Sequence, residues 1–83
     1  MKVKTIYVKR EKGRAKKVTL RWGSFKISFV RFRGEIVEAL RMREDGGDDL
    51  YIPAAPLKRI RAIAYAIFSE VRTKSEEPAS PTS

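Results

Sequence analysis

Apolar residues change their spacing once along this chain. Up to Arg43 they alternate with polar ones, the period of strands with one buried face. From Pro56 onward Leu57, Ile60, Ile63, Ala64, Ile67, Phe68 and Val71 fall within an arc of about 140° on a helical wheel, the stripe of an amphipathic helix. A chain of 83 residues with strands first and one helix last has few ways to bury both patterns. The helix must lay its stripe on one face of a sheet, which leaves the other face open. The expectation is an α+β fold, an antiparallel four- to five-stranded β-meander followed by one C-terminal α-helix.

Residues 2–22 read as a basic hairpin whose two runs are joined by Glu11-Lys12-Gly13-Arg14. In its second run Val18, Leu20 and Trp22 share one face, and Lys17, Thr19 and Arg21 share the other. A second hairpin spans 25–43, with Phe25, Ile27 and Phe29 opposed to Lys26, Ser28, Val30 and Phe32. Beyond the Gly34 turn, strict alternation sets Ile36, Glu38, Leu40 and Met42 against Val37, Ala39, Arg41 and Arg43. The Glu44-Asp45-Gly46-Gly47-Asp48-Asp49 stretch reads as a mobile acidic loop, without the alternating ligand spacing of a calcium loop. Residues 50–52 read as a short strand stopped by Pro53, and 56–73 as the helix, with Pro56 at its first position and no capping side chain before it. These make a single domain over 1–73, and 74–83, rich in Pro, Ser and Glu, read as a disordered tail.

Composition narrows the chemistry. The chain has no Cys and no His, which removes disulfides, thiolate nucleophiles, the usual general base and the commonest metal ligand. A non-catalytic protein without metal or cofactor is expected. There is also no Asn and no Gln, a loss of thermolabile amides alongside abundant Lys, Arg and Glu that suits a thermophile, archaeal origin. No apolar run approaches the roughly 20 residues of a membrane span, and the start lacks the apolar stretch of a signal peptide, so a cytoplasmic, nucleoid-associated protein with no membrane partner is expected.

The formal net charge is +9, and it is unevenly placed. Residues 1–43 hold 14 basic and 3 acidic side chains, net +11, so the N-terminal half carries a field that attracts polyanions. Lys9, Arg10, Lys12, Arg14, Lys16 and Lys17 form a dense cluster with only Glu11 to balance it, consistent with contact to a phosphate backbone. The second hairpin adds Lys26, Arg31, Phe32, Arg33, Arg41 and Arg43, and Arg21 lies beside it. A face that interleaves rings with cations can stack bases while neutralising phosphates. Phe32 shares its face with Lys26, and Trp22 and Tyr7 are further stacking candidates; packing in the core competes with that role for each ring. Single-stranded DNA is the expected partner, with RNA or duplex DNA as alternatives. The helical stripe is wide for so small a sheet, so some of Ile63, Phe68 and Val71 are expected to meet a second chain.

Val30-Arg31-Phe32-Arg33-Gly34-Glu35-Ile36-Val37-Glu38-Ala39-Leu40-Arg41 looks like a strand, an aromatic-basic-Gly turn and a return strand. With Leu50-Tyr51-Ile52-Pro53 and Pro56-Leu57-Lys58 after it, the stretch from about Val18 to Val71 resembles the single-stranded-DNA-binding domain of the positive cofactor four transcriptional coactivators, and more broadly the Whirly sheets. The resemblance implies a homodimer built on paired helices, with Ile63, Ile67, Phe68 and Val71 at the interface. It also implies that Phe32 and Arg33 occupy the turn positions, and that Arg31 and Arg41 lie along a channel for the strand. Glu35 and Glu38 put acid where that family offers Lys or neutral residues.

Overall fold

The computed structural model describes residues 2–70. The sheet has four strands, β1 (Val3–Glu11), β2 (Arg14–Trp22), β3 (Phe25–Phe32) and β4 (Glu35–Arg43), in sequence order with every neighbour antiparallel. One helix, α1 (Ala54–Ser69), follows. The two-residue turns explain the short connections. Lys12 and Gly13 both have positive φ, 53° and 78°, and so do Arg33 and Gly34, at 54° and 81°, the pattern of hairpin turns whose twist matches the strands. A side chain in that left-handed region costs roughly 1–2 kcal/mol. Lys12 and Arg33 are therefore placed at the hairpin tips against a local penalty.

Residues 50–52 do not form the expected strand. Their backbone is taken by side chains instead, which compete with a ladder. The Tyr51 N–H donates to the Asp49 carboxylate at 3.0 Å, and the Leu50 carbonyl accepts from Arg41 at 2.9 Å. Ile52 still reaches the core. The helix begins at Ala54, two residues before the expected start, because Pro56 is tolerated in a first turn whose N–H groups have no helical partner. No side chain caps it, and the Leu57 N–H bonds back to the Pro53 carbonyl at 3.0 Å. Residues 71–73 of the expected helix, with Val71, and the expected tail at 74–83 lie outside the described residues.

The helix lies chiefly over β2 and covers one face of the sheet. Val18, Leu20, Ile27 and Phe29 from the sheet meet Ile60, Ala64 and Phe68 from α1, with Ala15 and Ile52 closing the ends. Phe68 is 3 % exposed, and Ile63 and Ile67 are half-buried against the same cluster. The stripe expected to serve a second chain is thus largely spent within this one. Arg31 closes the far end of the helix: its Nη2 donates to the Phe68 carbonyl at 2.8 Å, and its guanidinium lies 5.5 Å from the Phe68 ring centroid. A cation there complements the negative end of the helix dipole.

Three bulges decide which side chains face which way. Directly paired residues share a face, and the register skips Ile6 and Lys16 on β1 and β2 and Ala39 on β4. Past Ile6, Tyr7 pairs with Thr19 and so joins the face away from the helix. Past Ala39 the alternation of β4 reverses: Leu40 and Met42 join Val37 on the open face, whereas Arg41 and Arg43 join Ile36 and Glu38 on the helix side. Strict alternation had grouped Arg41 and Arg43 with Val37; the extra residue corrects it.

Thr19 and Ser28 sit side by side in the middle of the open face, yet both are buried. Their hydroxyls meet at 2.9 Å, between Tyr7 and Leu40 in the same cross-strand row. Thr19→Val should cost about 1–3 kcal/mol by orphaning the Ser28 hydroxyl, while Thr19→Val with Ser28→Ala should cost less than the single change. Urea unfolding of Thr19→Val, Ser28→Ala and the double variant checks this; strictly additive losses would show that the two hydroxyls are independent.

Candidate nucleic-acid interface

The open face is a grid of cross-strand rows. One end carries Lys4, Arg21, Lys26 and Met42, the next row Tyr7, Thr19, Ser28 and Leu40, and the third Lys9, Lys17, Val30 and Val37. Phe32 and Glu35 stand at the far end, beside the Arg33-Gly34 turn. Apart from Lys26, the cations of these rows lie on β1 and β2, whereas Val30, Phe32, Val37, Leu40 and Met42 make the β3 and β4 side largely apolar. Phe32 is 58 % exposed and Tyr7 50 %, large values for rings that a folded chain usually hides. The Arg33 guanidinium lies 5.2 Å from the Phe32 ring centroid, a cation held beside a stacking surface. With strands about 4.8 Å apart and a rise of about 3.3 Å per residue, Tyr7 and Phe32 are separated diagonally by roughly 16 Å, a span of a few nucleotides.

Trp22 is not part of this surface. It belongs to the helix side, packs against the core and stacks on Phe25 with ring centroids 5.8 Å apart. Its place follows from the alternation that puts it with Val18 and Leu20.

Ion pairing sorts the candidate cations into three groups. Arg10, Arg41 and Arg43 are on the helix side, and each is held by a carboxylate: Arg10 by Glu70 at 2.9 Å, Arg41 by Glu38 at 2.7 Å, and Arg43 by Asp45 at 2.8 Å. Arg31 is there too, bound to the helix end. Arg21 and Lys26 do face the open side, but Glu44 spans them, 2.7 Å from Arg21 and 3.3 Å from Lys26. Lys4, Lys9, Lys12, Arg14, Lys16, Lys17 and Arg33 have no carboxylate partner among the described residues. All but Arg33 lie on the β1–β2 hairpin, and Arg33 is at the neighbouring tip. Free positive charge is thus concentrated on the first hairpin rather than spread over both. Lys4 escaped the sequence reading, since only the register to Arg21 shows that it shares the face.

The paired arginines organise the acidic loop. Asp45 accepts from Arg43 Nε at 3.0 Å, from the Gly47 N–H at 2.9 Å and from Ser24 Oγ at 3.1 Å, and these donors, Arg43 foremost, hold its carboxyl well below the usual carboxylate range. The same bond raises the Arg43 guanidinium, as the Glu38 bond raises Arg41. Arg43 also donates to the Asp49 carbonyl at 3.0 Å, and its guanidinium lies directly against Gly47, where a Cβ would collide with it. The loop expected to be mobile is in fact tied at several points. Among the described residues no group of three or more acidic side chains is placed to hold a metal ion, and no helix is long and apolar enough to cross a membrane. Comparison of the chain with protein-family models, with curated proteins and with solved structures gave no match.

Proposed function

We propose that this chain is a non-catalytic binding protein for single-stranded nucleic acid, DNA in the first instance, which lies across the sheet face opposite the helix. One observation carries the reading: on that face the unpaired Lys4, Lys9 and Lys17 stand beside the exposed rings of Tyr7 and Phe32, with Arg33 at the edge. Cations alone would serve any polyanion. Rings open to solvent add a term that only unpaired bases can use, since duplex bases have their faces stacked on one another.

Four phosphates, one for each of Lys4, Lys9, Lys17 and Arg33, give an expected slope of about −2.8 for log affinity against log salt, from about −0.7 per phosphate on a single strand. Fluorescence anisotropy with a labelled oligo-dT over a range of NaCl measures it. A slope near zero, or equal competition by duplex DNA at one salt concentration, would overturn the proposal in its single-stranded form; stronger competition by duplex or by structured RNA would transfer it to those ligands.

Glu44 is a built-in competitor on the same face. Its pairs with Arg21 and Lys26 are part-exposed, a setting in which ion pairs contribute little. A phosphate can therefore exchange for the carboxylate. Glu44→Gln should tighten oligo-dT binding and steepen the salt slope by up to about 1.4, two further phosphates' worth. Weaker binding by this variant would show that Arg21 and Lys26 need Glu44 to hold their positions.

A further inference from the structure

The end of the β1–β2 hairpin holds a groove of about 330 Å³ lined by Glu11, Lys12, Arg14, Ala15, Lys16 and Arg31. A water molecule's share of liquid is about 30 Å³, so a phosphate and part of its hydration fit with room to spare. The lining has four cations and one carboxylate, net +3. Ala15 and Arg31 belong to the helix side of the sheet, the first through its pairing with Arg10 and the second through its bond to Phe68. Glu11 and Arg14, paired one step beyond Arg10 and Ala15, fall on the open face, so the groove sits at the tip between the two faces and joins one to the other.

Two features of this place are only partly compensated within the fold. Lys12 stands in the left-handed turn position, where Gly or Asn would be cheaper. Arg31 is half-buried with no carboxylate partner among the described residues; a ring and one carbonyl compensate it, and its Nε has no hydrogen-bond partner. A buried charge without a counter-ion is unfavourable, and an anion in the groove would relieve it. The Lys16 bulge lets Ala15 and Lys17 point to opposite faces despite their spacing of two. Cations of one short segment are thereby divided between the open face and the groove.

We infer that this groove holds a phosphate group of the bound strand, so that the strand leaves the open face, bends over the hairpin tip and is gripped again on the helix side. The inference rests on the nucleic-acid reading and adds a second, separate contact to it. The alternative, a strand confined to the open face, leaves the groove without a ligand.

The test uses the whole chain and an Arg14→Gln/Lys16→Gln variant, both side chains being exposed. Titration of the nitrogen-15-labelled protein with inorganic phosphate should shift the amides of 12–16 saturably in the wild type and not in the variant. In oligo-dT binding the variant should have a salt slope shallower by about 0.7, one phosphate's worth. A Lys58→Gln/Arg59→Gln control removes equal charge from the exposed side of α1 and should leave the slope unchanged. No response to phosphate, or a slope in the groove variant equal to that of the wild type, overturns the inference while the open-face reading stands. Absence of oligonucleotide binding by the wild type would instead remove the nucleic-acid reading itself, and this inference with it. Oligo-dT with and without a terminal phosphate then separates an end-binding site, which gains affinity from that group, from one that takes an internal diester, which does not; both agree with the inference.

Discussion

Phe32→Ala should weaken the binding of a single-stranded oligonucleotide by about 5- to 150-fold, the equivalent of about 1–3 kcal/mol for one stacked base. The thermal midpoint should change little, because the ring is 58 % exposed and belongs to no part of the core. That separation is what distinguishes a ligand-facing ring from a packing one. Phe32→Tyr keeps a stacking surface and should bind nearly as well as the wild type. Equal loss of affinity for duplex and single strands in Phe32→Ala would mean that the ring positions the Arg33 charge rather than a base. Unchanged affinity for every ligand would remove Phe32 from the site. Oligonucleotide anisotropy and a melt monitored by circular dichroism, on the same preparations, give both readouts.

The second large effect is on stability. Phe68→Ala should cost about 3–5 kcal/mol, the range for truncating a buried aromatic, since Phe68 is 3 % exposed and joins α1 to the sheet. A domain of this size loses roughly 4–8 °C of melting temperature per kcal/mol, so a fall of roughly 12–40 °C is expected. Part of the loss comes from Arg31, which keeps the Phe68 carbonyl but loses the ring beneath its guanidinium. Phe68→Leu should recover most of the core area and little of the cation–ring contact. A melting temperature within a few degrees of the wild type in Phe68→Ala would contradict the packing of the helix on the sheet.

Much of this fold is written in local patterns. The alternation in β2 and β3 places Val18, Leu20, Trp22, Phe25, Ile27 and Phe29 on one face, and the sheet buries or half-buries that set under α1. The helical stripe is equally plain because Ile60, Ala64 and Phe68 recur at intervals of four. What the pattern hides is register. A single bulge residue reverses the faces of everything beyond it, and neither Ile6 nor Ala39 differs in type from a paired strand residue. Tyr7 therefore reaches the open face, and Arg41 and Arg43 leave it, for reasons visible only in the pairing.

Charge is similar. Composition counts cations, but their availability depends on which carboxylates fold toward them. Asp45 is two residues from Arg43, so that pairing was legible in principle from spacing, whereas Glu38 and Arg41 share a face only because of the Ala39 bulge. Arg10 to Glu70 joins opposite ends of the described chain and was not legible. Nor could spacing show that Glu44 lies across Arg21 and Lys26. Once these pairs are subtracted, the free cations of the sheet gather on the first hairpin and at the Arg33 turn, the segments whose turn residues accept strained backbone to carry charge. A hairpin tip built from Lys12-Gly13 and another from Arg33-Gly34 lie at the same end of the meander, since β1–β2 and β3–β4 turn in the same direction. Charge at that end supplements the face it borders.

The central claim is that a flexible polyanion lies on the uncovered face of the sheet, and residue-resolved nuclear magnetic resonance tests it most directly. Titrating unlabelled oligo-dT into the nitrogen-15-labelled protein at low salt should perturb Lys4, Tyr7, Lys9, Lys17, Phe32 and Arg33 together. The amides of Lys58, Arg59 and Arg61 on the helix should stay in place. Perturbation confined to those three helix residues, or none at saturating oligonucleotide, would contradict the account.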